Sequence, residues 1–163
     1  MGLRKDWAEW WRRFFSSSAN EDGQVTVNIL RQRYLEEMQQ RNRFRQHAQE
    51  MHYPQFREKL LCLATDKDQH AQWIAEKIVR LGGKLPEVPE HRATEENSWK
   101  HLMMDLQEEN RCADHLWEQL WRIGASHSDV TELLRKIYEA EKKHRYAIRE
   151  MLMRSDPFAL SNT

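Results

Sequence analysis

Apolar residues recur three and four positions apart along four stretches of the chain, which is the spacing of one face of an α-helix. The predicted helices cover about residues 24–50, 54–81, 94–124 and 129–156. Their apolar stripes contain Val27, Leu30, Tyr34 and Phe44 in the first helix, Leu60, Leu63, Ile74 and Ile78 in the second, Leu102, Leu106, Leu116 and Leu120 in the third, and Val130, Leu134, Ile137 and Ile148 in the fourth. No stretch has the pattern of a strand, so the chain is predicted to be all-α.

The lengths of the connections predict how these helices pack. Only a few residues join the first helix to the second and the third to the fourth, so each pair is predicted to be an antiparallel hairpin. The middle connection, KLPEVPEHRATEENS at 84–98, has about 15 residues and spans roughly 50 Å when extended; its last residues include Thr94, the predicted N-cap of the third helix. That length crosses a bundle from end to end. An up-down pair, a long crossover and a second pair make the ferritin-like arrangement of a four-helix bundle.

A dense aromatic segment precedes the bundle. Residues 3–15 read LRKDWAEWWRRFF and predict a short N-terminal helix, followed by SSSANEDG as a linker. This segment could bind a membrane surface or a protein partner. We favour the alternative that it folds back on the bundle or seals a subunit interface, because the chain has no other membrane signal. The predicted organisation is an N-terminal segment and linker over 1–22, a bundle over 23–156 and a C-terminal tail over 157–163.

Composition excludes several functional classes. Lys and Arg number 26, as do Asp and Glu, so the formal net charge is zero and no basic field attracts nucleic acid. Two cysteines are too few for a disulfide framework, a Cys-rich zinc site or a rubredoxin-like module that would supply electrons. No signal peptide or apolar run of roughly 20 residues is visible, so we expect a cytoplasmic protein. A homodimer is also expected, through a face that the sequence leaves open.

Polar residues interrupt every apolar stripe at its middle. Packing the two hairpins together is expected to bring these residues to one level of the bundle. Burying ionised carboxylates there without a counter-charge is costly, so a positive group must lie among them. Glu-x-x-His places a carboxylate and an imidazole one turn apart on one helix face, and such donors suit iron or manganese better than zinc. The interrupting residues are Glu37, Lys67, His70, Glu109, Glu141 and His144.

Four short motifs contain or adjoin these positions: EMQQRNRF at 37–44, DQHA at 68–71, DLQEEN at 105–110 and EKKH at 141–144. In this order they resemble the ligand segments of ferritin-like di-iron proteins, especially the bundle domain of rubrerythrins and, more distantly, bacterioferritins. The resemblance covers residues 25–154. It implies iron, oxygen or peroxide chemistry, and an oxidoreductase of the di-iron carboxylate type if the protein is an enzyme. It also implies terminal carboxylate ligands at Glu37 and Glu109, a bridging ligand at Glu141, and imidazole ligands at His70 and His144.

Lys67 departs from the family pattern, which has a glutamate three residues before His70. Four carboxylates balance two divalent ions, whereas three carboxylates and one ammonium leave two negative charges, which one divalent ion would cancel. We therefore expect a degenerate site with one iron ion, or manganese in its place, or no metal at all. Lys67 is expected to pair with Glu37 or Glu141, and Arg41 either balances Glu37 or is solvated.

The two halves of this site are not equally complete. The half with Glu109, Glu141 and His144 keeps its expected ligands, while the half served by Glu37 and His70 has lost its bridging carboxylate. The alternative function is a non-catalytic helical bundle that binds a protein partner or a membrane surface through residues 3–15.

Overall fold

Four helices account for the fold in the part of the chain that the structure describes. This computed structural model describes residues 3–90, 96–124 and 127–158, with side chains from residue 22 onward. The helices are α1 (Leu3–Glu50), α2 (Pro54–Arg80), α3 (Ser98–Ile123) and α4 (Ser128–Arg154), and these ranges contain no strand. The predicted all-α bundle of two hairpins with a long crossover is confirmed.

The helix ends follow from local chemistry. Pro54 occupies the first turn of α2, where its missing N–H is no loss. Gly82 has a φ of 76°, which reverses the chain after α2, and the N–H of Gly83 donates to the carbonyl of Ile78 at 2.9 Å. The side chain of Asn97 caps α3 by accepting from the N–H of Lys100 at 2.9 Å. These caps fix the ends of the crossover.

The first helix corrects one expectation. We expected a short helix over 3–15 and a linker over 16–23, whereas the backbone of α1 is helical without a break from Leu3 to Glu50. SSSANEDG contains no proline, and its serine, asparagine and glycine residues only lower helix propensity, so a helix can continue through them. The expected boundary between a terminal segment and the bundle stays a prediction.

The length of α1 sends its N-terminal part past the bundle. It has 48 residues, while the other three helices have 26 or 27. Val27 lies beside Gly83, just past the end of α2. The residues of α1 before about position 22 therefore continue beyond that end for roughly 30 Å, at about 1.5 Å per residue.

No helix in the described ranges combines the length and apolar character that crossing a bilayer requires.

Two hydrophobic clusters lie along the bundle with a polar layer between them. The first cluster, at the end where α1 leaves the bundle, contains Ile29, Leu30, Ile74, Ile78, Leu116, Leu120, Ile123, Val130, Leu134 and Ile137. The second contains Phe44, Ala48, Met51, Phe56, Leu60, Leu63, Ala64, Leu102, Ile148 and Met151.

Gly83 offers a test of the packing between α1 and the end of α2. A Cβ atom on Gly83 would lie 2.6 Å from Val27 Cγ1 and 2.9 Å from Ile78 Cγ2. Both neighbours are β-branched and stiff, so Gly83→Ala is expected to destabilise the protein by about 1–3 kcal/mol in urea unfolding. Gly23→Ala is the matched control, because a Cβ on Gly23 meets nothing within 4 Å. This control should stabilise the helix by about 0.5–1 kcal/mol. Equal stability of the two variants would contradict the packing.

Candidate metal centre

The six residues predicted for the centre all lie in the polar layer between the two clusters. Each is buried, with an exposed fraction between 0% and 3%. α1 and α3 each contribute one carboxylate, α2 contributes the lysine and a histidine, and α4 contributes a carboxylate and a histidine. The structure therefore brings these side chains together inside the bundle, while their role as metal ligands stays a prediction. They are Glu37, Lys67, His70, Glu109, Glu141 and His144.

Lys67 contacts carboxylates from the three other helices. Its Nζ lies 2.8 Å from Glu109 Oε1, 2.8 Å from Glu141 Oε1 and 3.6 Å from Glu37 Oε2. The expected pairing with Glu37 or Glu141 is thus observed, and Glu109 is added to it. Burial alone lowers the pKa of Lys67, but the three carboxylates outweigh it and hold this pKa above its ordinary value. The ammonium is therefore a permanent positive charge at the middle of the site.

Arg33 is a second buried cation, which the interruptions of the apolar stripes did not predict. Its Nη2 donates to Oε1 of both Glu37 and Glu141, and its Nη1 donates to Glu36 Oε2 at 3.2 Å and to the carbonyl of Cys112 at 3.1 Å. Burial opposes the charge of Arg33, but these carboxylates keep its pKa well above the ordinary value. One guanidinium therefore links α1, α3 and α4.

A signal for Arg33 was present in the spacing of α1. The residue lies three positions after Leu30 and four before Glu37, which places all three on one helix face. The cation considered at the sequence level was Arg41, which instead pairs with Asp68 at 2.7 Å near the surface. Arg41 therefore does not balance Glu37.

The two histidines are held differently. His70 Nδ1 lies 3.3 Å from Glu37 Oε2, while His144 Nε2 lies 3.1 Å from Oδ2 of Asp66. The two ring centroids are 5.8 Å apart. Burial and the nearby Lys67 lower the pKa of His144 to about 4, so this imidazole is neutral at neutral pH. Its Nδ1 is buried and has no hydrogen-bond partner in the described part of the chain.

Two of the three central carboxylates, Glu37 and Glu109, have pKa values shifted in opposite directions. Burial favours the neutral form of Glu37, but Lys67 and Arg33 hold its pKa well below the ordinary value. Burial, opposed by Lys67 and reinforced by Glu141, raises the pKa of Glu109 to about 7. Although Glu109 is at ion-pair distance from Lys67, neither of its oxygens accepts a well-oriented hydrogen bond from a described residue. Glu109 is therefore the carboxyl group that takes up a proton near neutral pH.

Arg33 changes the charge balance of the site. Three carboxylates, Glu37, Glu109 and Glu141, face two cations, which leaves one negative charge rather than the two expected without Arg33. A single proton on Glu109 removes that charge. A fourth carboxylate, Glu36, also contacts Arg33 but turns toward His115, whose Nδ1 lies 2.6 Å from its Oε1.

The donor atoms fit one metal ion better than two. The ligand atoms of Glu37, His70 and Glu141 lie within 4.8 Å of one another, the one such group among the described residues. Beside two fixed cations and three ionised carboxylates, one divalent ion leaves a net charge of +1 and two leave +3. The second value is prohibitive in a dry interior. The compact group combines Glu37 and His70 from the half that was expected to be weakened with Glu141 from the other half, and Glu109 and His144 are not part of it.

Comparisons with known proteins agree with this architecture. A sequence model of the family described as Rubrerythrin matches residues 28–152. No curated protein matches the chain. Among solved structures, a bacterioferritin from Desulfovibrio desulfuricans, studied for its diiron site in different catalytic states, superposes with a TM-score of 0.76 at 18% identity, over 83% of this chain and 82% of that one. A ferritin-like, diiron-carboxylate protein from Bacillus anthracis gives 0.70 at 20% identity, over 80% and 97%. At these identities the two structures show a shared fold.

Proposed function

The chain belongs to the rubrerythrin family, and on that premise we propose that it is a ferritin-like metal-binding protein with a degenerate di-iron-type centre. The centre holds one ion at most. The observation that carries this proposal is the position of Lys67, whose ammonium lies among carboxylates of α1, α3 and α4 where the family pattern has a bridging glutamate. Arg33 adds a second positive charge to the same carboxylates.

Glu37, His70 and Glu141 would hold the ion. Both cations contact Oε1 of Glu141, and its Oε2 has no hydrogen-bond partner among described residues, so that atom is free to bind a metal. Iron is the metal that the family implies, with manganese as the alternative, since both accept carboxylate and imidazole donors. Such an ion would supply one-electron and Lewis-acid chemistry. Arg33 and Lys67 neutralise the carboxylates that the ion does not balance and hold them in place.

A second candidate function is a non-catalytic bundle that binds a partner or a membrane surface through residues 3–15. The side chains of that segment lie outside the described residues. Two observations favour this candidate: α1 continues roughly 30 Å beyond the bundle, at about 1.5 Å per residue, and the two buried cations make a metal unnecessary for neutralising the centre.

Metal content separates the two candidates. Protein purified without chelator and then incubated with ferrous iron or manganese under anaerobic conditions is expected to keep no more than one equivalent per chain after desalting. Elemental analysis against protein concentration measures this ratio. Two retained equivalents would contradict the degenerate centre. One retained equivalent would favour a metal-dependent role, whereas no retained metal would leave the degenerate centre empty and favour the non-catalytic candidate.

A further inference from the structure

An aromatic groove lies open on the face formed by α3 and α4. Trp117 and Trp121, on successive turns of α3, are 53% and 75% exposed. With Leu120 and with Tyr138 from α4 they line a groove of about 790 Å³. Large exposed apolar surfaces of this kind mark places where another surface binds.

The groove lies at the end of the bundle where α1 departs. Leu120 belongs to the same hydrophobic cluster as Ile29 and Leu30, so the groove and the root of the α1 extension share one end of the molecule. The backbone of α1 is continuous through this point. The extension therefore points away from the groove of its own chain and would have to break its helix to reach it.

The sequence of the extension predicts an apolar helix face. Trp7, Trp10 or Trp11, and Phe14 recur three and four positions apart, which aligns them along one side of the helix. Covering such a face requires another helix. A second molecule can supply one.

We propose that two copies of the chain exchange these N-terminal arms, residues 3–21, so that each arm lies in the Trp117–Trp121 groove of the other copy. The two bundles meet with their groove ends facing each other, and a two-fold axis makes both contacts equivalent. Each arm is roughly 28 Å long, which exceeds the roughly 17 Å of α4 between Thr131 and Lys142 that borders the groove. The arm therefore reaches across the whole groove.

The aromatic surface is large enough for a stable dimer. Each contact brings together the five aromatic residues of one arm and the two groove tryptophans, and an aromatic side chain buries about 150–250 Å². If each contact buries half of that area, the two equivalent contacts together bury more than the roughly 1,000 Å² of a specific interface. This dimer does not depend on the metal content of the centre.

Light scattering on the full-length chain tests the exchange. The unaltered protein is expected to have twice the 19.8 kDa mass of one chain at micromolar concentration. Two variants should be monomers with unchanged helix content by circular dichroism: Trp117→Gln with Trp121→Gln in the groove, and Trp7→Gln with Trp11→Gln in the arm. Tyr146→Gln is the matched control, because this exposed aromatic residue of α4 lies outside the groove and the variant should stay dimeric.

A cross-link identifies which segment occupies the groove. A photoreactive benzoylphenylalanine in place of Glu139, which lines the groove, should cross-link to residues 3–21 of the other copy, and peptide mass spectrometry locates the link. A monomeric unaltered protein, a dimer that survives either aromatic double variant, or a dimer in which position 139 does not cross-link to residues 3–21 of the other copy would overturn the proposal. So would a monomer whose arm instead co-sediments with vesicles of phosphatidylcholine and phosphatidylglycerol.

Discussion

Replacing Arg33 by methionine is expected to lower the free energy of unfolding by about 3–5 kcal/mol, the cost of leaving buried charges without their partner. Methionine fills a similar volume but cannot donate to Glu37, Glu141 or the carbonyl of Cys112. Urea unfolding at neutral pH measures the loss. The free energy of unfolding of Arg33→Lys should lie between those of the unaltered protein and Arg33→Met, because lysine keeps the charge but cannot make the forked hydrogen bonds of the guanidinium.

Arg41→Met is the matched control for Arg33. Arg41 lies on the same helix and its ion pair with Asp68 is partly exposed, so its loss should cost no more than about 1 kcal/mol. If Arg33→Met were as stable as Arg41→Met, the guanidinium would not be needed to neutralise the centre, and the charge balance described for it would be wrong.

Lys67→Glu is expected to make folding depend on metal. The substitution leaves four central carboxylates against Arg33 alone. This excess of three negative charges should destabilise the protein by about 3–5 kcal/mol when a chelator keeps it free of metal. Ferrous iron or manganese should restore much of that loss, because an ion that binds only the folded state stabilises it. Thermal unfolding with and without metal measures the rescue, and elemental analysis should show more retained metal than in the unaltered protein.

The control for Lys67→Glu is Lys59→Glu, which makes the same charge change on the exposed side of α2. It should alter neither metal retention nor the response to metal. Unchanged metal content in Lys67→Glu would count against position 67 as the substituted ligand position.

Helix periodicity predicted the bundle and most of its centre because both depend on local spacing. Glu141 and His144 fall in the stripe between Ile137 and Ile148, and a side chain in that stripe is buried once any neighbouring helix packs on that face. The same reasoning placed Glu37, which is also fully buried. Residues on a buried stripe can therefore be found from sequence even when they are charged.

Arg33 escaped this reasoning because its burial depends on distant partners. Although Arg33 shares a helix face with Leu30 and Glu37, an arginine in such a position ordinarily extends its guanidinium into water. Here it turns inward because Glu141 and the carbonyl of Cys112, 108 and 79 residues away, accept its N–H groups. Those contacts exist only after the two hairpins have packed. The unbroken α1 was missed for a related reason, since SSSANEDG can occur both in a linker and on a solvated helix.

The network of buried cations has an energetic cost of its own. Removing Arg33 and Lys67 from water is unfavourable, and attraction to the carboxylates only offsets that cost when the geometry is good. In return, the carboxylates are neutralised by groups that belong to the chain itself. A permanently charged Lys67 also repels a divalent ion that approaches the same glutamates.

Anomalous diffraction tests the central claim most directly. Crystals of the unaltered chain, soaked anaerobically in ferrous iron and measured at the iron absorption edge, would show each bound ion as a separate peak. We predict no more than one peak in the polar layer, next to Glu37, His70 and Glu141. Two well-occupied peaks about 3.5–4 Å apart, the separation of a two-metal site, would contradict the account.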